Sequence, residues 1–545
     1  MPQHITQLLT EDHSTTPQSF CICEPSPPSP NTLEKHFCLP LPNSNFNRQM
    51  PAAIQSRPTS SQKSYAPFEL LPVELFDQII PRLAVDQPIN GYTPRNKDLA
   101  SCLLVSRTFY RMTLSTLYAR VSFPHSTVYS KFLSHINKYP ELGRLVKRLD
   151  FSQFTSIGLG RTRKMNYEIQ KLTSNTLLQC LNLTVYLREF LAAESIEEDV
   201  DYQVLEKLFC DLSHLQAVDF CASTASPFAK GLTEVLSANN PKLPEMLNLK
   251  RVGLHGCSIL PPTVFATLLP RLPRLTHLDL THTQVTDESL LAIPHSARLT
   301  HLSISKCNKL HGPAVVDFLL NHPAARNLVY LNIHYDTSRY RLLSTADVDE
   351  LLPGLPTTLR SLNLNGAKIT SDHMPHLRRL ATHLEELSLG GADLSMDDLN
   401  TLIRGEPRED DKPSDHHSTL VYLGLTNVAS VTPNAIIFPE TCALVHPDSF
   451  PLQVLEFSDK ILDGLKDRPV ASKKLGWVVK TQQRRGWYVR ANSGTLPGGE
   501  NYKKALEMDD GQRAWKMGGK WWGTRKVPVA EGEVLGIYGY YAFGY

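Results

Sequence analysis

From Leu249 to Phe457 the apolar positions return in one phrase, Leu-x-x-Leu-x-Leu. It reads Leu275-Thr-His-Leu278-Asp-Leu280, Leu299-Thr-His-Leu302-Ser-Ile304 and Leu328-Val-Tyr-Leu331-Asn-Ile333, then Leu359-Arg-Ser-Leu362-Asn-Leu364, Leu384-Glu-Glu-Leu387-Ser-Leu389 and Leu420-Val-Tyr-Leu423-Gly-Leu425. Weaker copies begin at Leu215, Leu249 and Leu452, and the spacings from Leu249 onward are 26, 24, 29, 31, 25, 36 and 32 residues. Within each copy apolar and polar residues alternate, as in Leu278, Asp279, Leu280, the period of two that a strand requires. Between copies the pattern turns helical. Ser395-Met-Asp-Asp398 has the form of a capping box ahead of Leu399 and Leu402, Thr286 is an N-cap candidate, and Ser371 precedes an apolar run at Leu377 and Leu380. One strand and one helix per copy predict parallel strands on a concave face with helices outside.

A period of roughly 20–29 residues with this phrase is similar to that of leucine-rich repeats, so the expected fold is an α/β horseshoe solenoid. Three positions beyond the last Leu stand Cys257, Thr283, Cys307, Asp336, Ala367, Ala392 and Val428. Cys257 and Cys307 resemble the cysteine-containing repeats that often accompany an F-box. In that family, protein cargo binds the concave face. The resemblance therefore marks the outward strand positions Arg251, His255, His277, Asp279, His301, Tyr330, Asn332, His334, Asn363, Asn365, Glu386 and Tyr422 as cargo-binding. Tyr330 and Tyr422 are the expected anchors, because tyrosine is enriched at binding hot spots.

Ahead of the repeats, residues 1–64 are rich in Pro, Ser, Thr, Asn and Gln and read as disordered. The Cys21-Ile-Cys23 pair within them has no further ligands to make a metal site. Residues 65–122 read as short helices. Pro72 opens the first, with Leu75, Ile79 and Leu83 on one face, and Pro81 ends or kinks it. A polar loop, 86–98, separates it from Leu99, Cys102, Leu103 and Val105; Ser106-Arg-Thr-Phe109 then leads into Leu114, Leu117 and Tyr118. So few residues bury too little surface to stand alone. This stretch resembles the F-box, the adaptor-binding motif of SCF-type cullin–RING ubiquitin ligases. The resemblance rests on Leu71, Pro72, Glu74, Leu75, Ile79, Leu83, Leu103, Val105, Ser106, Arg107, Leu117 and Tyr118, with Phe109 where the family usually has tryptophan. Arg107 and Phe109 aside, these residues are the expected adaptor contacts. The bland alternative is a helical cap on the solenoid.

Residues 123–248 read as irregular early repeats, with strands expected at Leu145–Phe151 and within Leu177–Leu183. Gly158-Leu-Gly160-Arg-Thr-Arg-Lys164 lacks the order of a phosphate loop and reads as a basic surface loop, and the acidic run Glu194 to Asp201 as a solvated loop or helix start. After the repeats of 249–465, with a charged excursion at 404–418, all five tryptophans fall in residues 466–545. There Trp477 and Trp487 sit in strand-like runs, as does Val534–Tyr545. This segment reads as a cap on the solenoid or a second binding surface.

Composition changes the picture little. The net charge of +2 gives no overall pull toward nucleic acid or membrane, although residues 461–545 carry 15 Lys/Arg against 8 Asp/Glu. No stretch approaches 18 apolar residues, Met1 to Thr10 has no secretory character, and the ten cysteines are scattered. A reducing setting, cytoplasmic and/or nuclear, is expected. No metalloprotease, serine-hydrolase or paired-cysteine motif occurs, so neither enzymatic activity nor a cofactor is expected. The expected partners are a Skp-type adaptor with its cullin–RING complex and a protein substrate. The alternatives are an interaction scaffold without ligase function and, more weakly, nucleic-acid binding through Lys520–Lys526. No membrane partner is expected.

Overall fold

The computed structural model describes residues 66–83, 96–123, 125–152, 154, 172–336, 341–405, 418–438, 441–482 and 485–490. All belong to one compact unit, 58–545; a second unit, 1–57, lies outside them. Also outside are the expected disordered segment, the Gly158–Lys164 loop, most of the 86–98 and 404–418 loops, and the last three tryptophans.

A short 3₁₀ turn, Pro67–Leu70, opens the described chain, followed by α1 (Val73–Leu83), α2 (Asn96–Cys102) and α3 (Arg107–Ala119). Twelve parallel strands then pair in chain order: β1 (Arg120–Ser122), β2 (Arg148–Asp150), β3 (Glu189–Ala193), β4 (Ala217–Cys221), β5 (Arg251–Gly253), β6 (His277–Asp279), β7 (His301–Ser303), β8 (Tyr330–Asn332), β9 (Ser361–Asn363), β10 (Glu386–Ser388), β11 (Tyr422–Gly424) and β12 (Val454–Glu456). β14 (Arg485–Arg490) pairs antiparallel with β12, and β13 (Trp477–Gln482) pairs antiparallel with β14 on its outer side. A crossover connection brings each parallel strand beside the last, and helices or 3₁₀ turns fill most crossovers. The fold is thus an α/β leucine-rich-repeat solenoid preceded by a helical module.

Most parallel strands are three residues long, so side-chain stacking across strands has to hold them. One in-register column runs Val121, Leu149, Phe190, Val218, Val252, Leu278, Leu302, Leu331, Leu362, Leu387, Leu423, Leu455. Every member is buried in a single core shared with the helices. Each contributes roughly 1.5–3 kcal/mol. The early repeats look irregular in sequence because aromatics take over from leucine. Phe123, Phe151, Phe190, Phe220 and Phe228 form a chain with ring centroids 4.7–6.2 Å apart. The strand expected within Leu177–Leu183 is instead a helix, Ser174–Leu183, started by a Thr173–Thr176 capping box. Its apolar run is helix-periodic, with Leu177, Cys180 and Leu181 inward.

The sheet is left by a repeated device. Asp150, Asp219, Asp279, Asn332 and Asn363 end or nearly end their strands, and each side-chain oxygen accepts from the backbone N–H two residues on. A residue with left-handed backbone follows in most repeats: Ala222, Gly256, His282, Lys306, Gly366, Gly391 and Asn427. At Gly366 φ is +86°, and an added Cβ would stand 2.3 Å from the Tyr335 carbonyl oxygen. Gly366→Ala is therefore expected to cost at least about 2 kcal/mol, read as a lower urea midpoint at unchanged slope. The next position holds the repeat-to-repeat tie. Cys257 Sγ donates to the Phe220 carbonyl at 3.0 Å and Cys307 Sγ to that of Leu280 at 2.9 Å.

Candidate interaction surfaces

The helical module buries a small core of Phe76, Ile80 and Leu99, with Leu71, Phe109, Met112 and Leu117 packed against it. Phe68, Phe76 and Phe109 meet in a triangle with centroids 5.1–5.7 Å apart. Phe109 occupies the position usual for tryptophan and is held by stacking on Phe68. Pro72 precedes α1 and its carbonyl accepts from the N–H groups of Leu75 and Phe76. Ser106 N-caps α3 through its hydroxyl, which accepts from the Phe109 N–H.

α1 turns Phe76 and Ile80 inward, so its other apolar stripe looks outward. Leu75 and Leu83 are exposed, Ile79 is half-buried, and Pro72 and Glu74 are exposed. Leu103 is buried, whereas Val105 beside it is exposed. Sequence reasoning missed Phe68, Leu70, Val73 and Leu104, which extend this surface; the doublets Leu70-Leu71 and Leu104-Val105 were the available signal. Among the described residues, seven of the fifteen exposed large hydrophobics lie between Phe68 and Val105, which concentrates unburied apolar surface on this one module. Tyr118, expected among the adaptor contacts, is half-buried and packs against the solenoid core, with its ring stacked on His135 at 6.3 Å. The reason is its place one residue from the end of α3, where the chain turns into β1.

On the concave face the twelve positions marked for cargo divide by burial. His255, Asp279, Tyr330, Asn332, Asn363, Asn365, Glu386 and Tyr422 are buried, whereas Arg251, His277, His301 and His334 are half-buried. Much of this burial serves the fold. Asp279, Asn332 and Asn363 carry the strand-end caps, and Asp279 also holds His255 Nδ1 at 3.1 Å. Asn365 Oδ1 accepts from Ser388 Oγ at 2.8 Å, and Ser361 Oγ donates to Glu386 at 2.5 Å. The Tyr422 hydroxyl donates to Glu456. Tyr330 and Tyr422, expected to stand out as anchors, are therefore lodged in the face itself. Asn363→Ala removes one strand-end cap and should lower stability by about 1 kcal/mol, read by urea unfolding.

Toward β1, Glu189 of β3 receives both Arg148 of β2 and, at 2.6 Å, Arg251 of β5, a cluster that reaches across β4. Beside it His277 and His301 sit in register on β6 and β7 with rings stacked 4.2 Å apart and 8° from parallel, and Tyr330 continues the stack at 5.8 Å. Burial pushes His277 down to about 3, helped by His301 and Arg251, and His301 down to about 4. Both rings are neutral near pH 7. Among the described residues no group of three His, Cys, Asp or Glu is arranged to hold a metal ion, and no helix is long and apolar enough to cross a membrane.

Comparison with known proteins bears on both surfaces. The family described as COS11 F-box domain matches residues 68–157, and that described as Leucine Rich repeat matches residues 272–293. A curated relative, F-box protein YLR352W of Saccharomyces cerevisiae, is 33% identical over 235 residues, covering 41% of this chain and 29% of the yeast protein. The chain thus spans under a third of that relative's length. Among solved structures, the leucine-rich repeat-containing protein LegL7 from Legionella pneumophila is similar over 48% of this chain and 82% of its own, with 16% identity and a TM-score of 0.29.

Proposed function

We propose that the chain, whose residues 68–157 match an F-box family and residues 272–293 a leucine-rich-repeat family, is the substrate-recognition subunit of an SCF-type ubiquitin ligase. The module of α1–α3 docks a Skp-type adaptor and thereby a cullin–RING complex. The concave face receives protein cargo. Families of this kind are interaction modules, and the chain's own contribution is proximity: holding cargo beside a ubiquitin-loaded enzyme raises effective concentration without new chemistry. The cytoplasm and/or nucleus is the proposed setting.

The observation that carries this reading is the unburied apolar surface of the module, with Leu70, Val73, Leu75, Leu83, Leu104 and Val105 all exposed. A helical cap would spend such residues against the repeats; an adaptor-binding module keeps them for a partner. The test is co-purification of the full chain with a Skp-type adaptor and cullin. Stoichiometric recovery is the expected result, and no recovery with the intact sequence sinks the ligase reading and leaves the interaction scaffold.

A further inference from the structure

At the edge where the strands begin, the return from β4 to β5 is irregular. Residues 237–250 include Pro241 and Pro244 and make turns but no helix. Facing them, the helix that opens at Tyr202 widens at its end. Over Lys207–Asp211 it runs as a π-turn, and the Leu212 N–H reaches back five residues to the Lys207 carbonyl at 3.2 Å. Such turns are rare and concentrate at functional sites. Between the two segments lies a cleft of about 160 Å³. Its buried lining is Leu208, Phe209, Leu212, Leu215, Leu247 and Leu249. Cys210 and Pro244 are half-buried, and Ser213, Met246 and Asn248 stand exposed at the mouth. Asn248 Nδ2 donates to the Ser213 carbonyl at 2.9 Å and ties the two sides of the mouth together.

The cleft selects by size and by charge. An apolar cavity of about 150 Å³ holds one benzene ring, whereas pockets for drug-sized ligands span about 300–1,000 Å³. One ring fits here and a larger molecule does not. The segments that line it, 206–215 and 242–250, carry Glu206, Asp211 and Glu245 against Lys207, Lys242 and Lys250. Lys207 lies 3.2 Å from Asp211, and Lys242 lies 3.0 Å from Glu206. The rim is therefore balanced, and the charge complementary to it is none. Apolar surface also continues past the mouth. The Tyr186 ring stands 5.5 Å from that of His214, the neighbour of Ser213, and both Tyr186 and Val185 are exposed. A free ring would leave that surface in water; a polypeptide carrying the ring covers it.

We propose that this cleft is a docking site for a protein partner, which inserts one phenylalanine side chain and lays an uncharged stretch of chain across Tyr186 and Val185. The site lies off the concave face and does not rest on the ligase reading.

The experiment uses the full chain with isotope-labelled methionine methyl groups, the Met246 resonance being assigned through Met246→Leu. The probes are N-acetyl-phenylalanine amide and the capped peptide Gly-Ser-Phe-Val-Ser-Gly. Both should shift the Met246 methyl resonance, the peptide with about tenfold higher affinity from its added apolar contact. N-acetyl-lysine amide should leave the resonance in place. Tyr186→Ser should remove the peptide's advantage alone. Ser213→Trp, at an exposed position, should block the mouth and abolish both shifts. Cys210→Phe narrows the cleft from its wall and should do the same, so the outcome does not hang on the folding of one variant. A phenylalanine probe that leaves Met246 unmoved overturns the proposal, as does a lysine probe that moves it equally. Equal affinity for the two phenylalanine probes overturns protein docking and leaves a small-molecule cavity. Shifts retained in both blocking variants overturn the site.

Discussion

A full-length variant carrying Leu75→Asp and Val105→Asp should fold as the parent does and fail to capture the adaptor. The two side chains are 40% and 64% exposed and lie outside the core of Phe76, Ile80 and Leu99, so folding has little to lose. Binding has much to lose. Each aliphatic buried at an interface contributes roughly 1.5–3 kcal/mol, and aspartate adds the cost of desolvating a charge. Two such losses total about 3–6 kcal/mol, a factor of roughly 10²–10⁴ in affinity. Titration calorimetry with purified adaptor measures it. Phe76→Asp is the contrasting case, since it strikes the buried core and should reduce folding and binding together. Unchanged affinity in the Leu75/Val105 variant would mean that the exposed stripe is not the docking surface.

Acidification from pH 7 to pH 5 should lower the unfolding free energy more steeply than carboxylate titration alone predicts. In the unfolded chain His277 and His301 take up protons near 6.5; in the folded chain burial holds them at about 3 and about 4. Between those values the unfolded state binds more protons, so stability is lost as pH falls through the window and regained as it rises. At pH 5 each histidine costs on the order of 2 kcal/mol. Urea unfolding across a pH series reads the slope, and the His277→Leu, His301→Leu variant should flatten it. Parallel curves for parent and variant would show that the two rings titrate normally in the folded chain.

The repeats were legible because period and alternation are one-dimensional signals: the inward leucines of β6 to β12 and the caps at Thr286 and Ser395 could be read directly. The histidine register was legible for the same reason, since His277 and His301 occupy the same place in consecutive phrases. Burial of the polar columns was not. Nothing in the string distinguishes an Asp279 that faces cargo from one whose carboxylate folds back on the Thr281 N–H. That choice depends on how closely neighbouring strands pack, a property of the assembled sheet. The same limit applies to α1, whose sequence offers two apolar stripes, Leu75–Ile79–Leu83 and Phe76–Ile80. Only the packing of Leu99 and Phe109 decides which one turns inward. Tyr118 also meets the solenoid core because the helix end carrying it touches two modules, whereas a motif assigns a residue to one.

α3 ends at Ala119 and β1 begins at Arg120, with no residue between them. Leu117 belongs to one core and Tyr118, next in the chain, packs on the other. This junction is a weld, not a tether. On the proposed ligase reading, the distance from an adaptor docked on α1 to a cargo residue on the face is then a fixed dimension, where a flexible linker would sample a distribution of lengths. A fixed dimension acts as a ruler: side chains at one offset along the cargo come within reach, and those a few ångströms to either side do not.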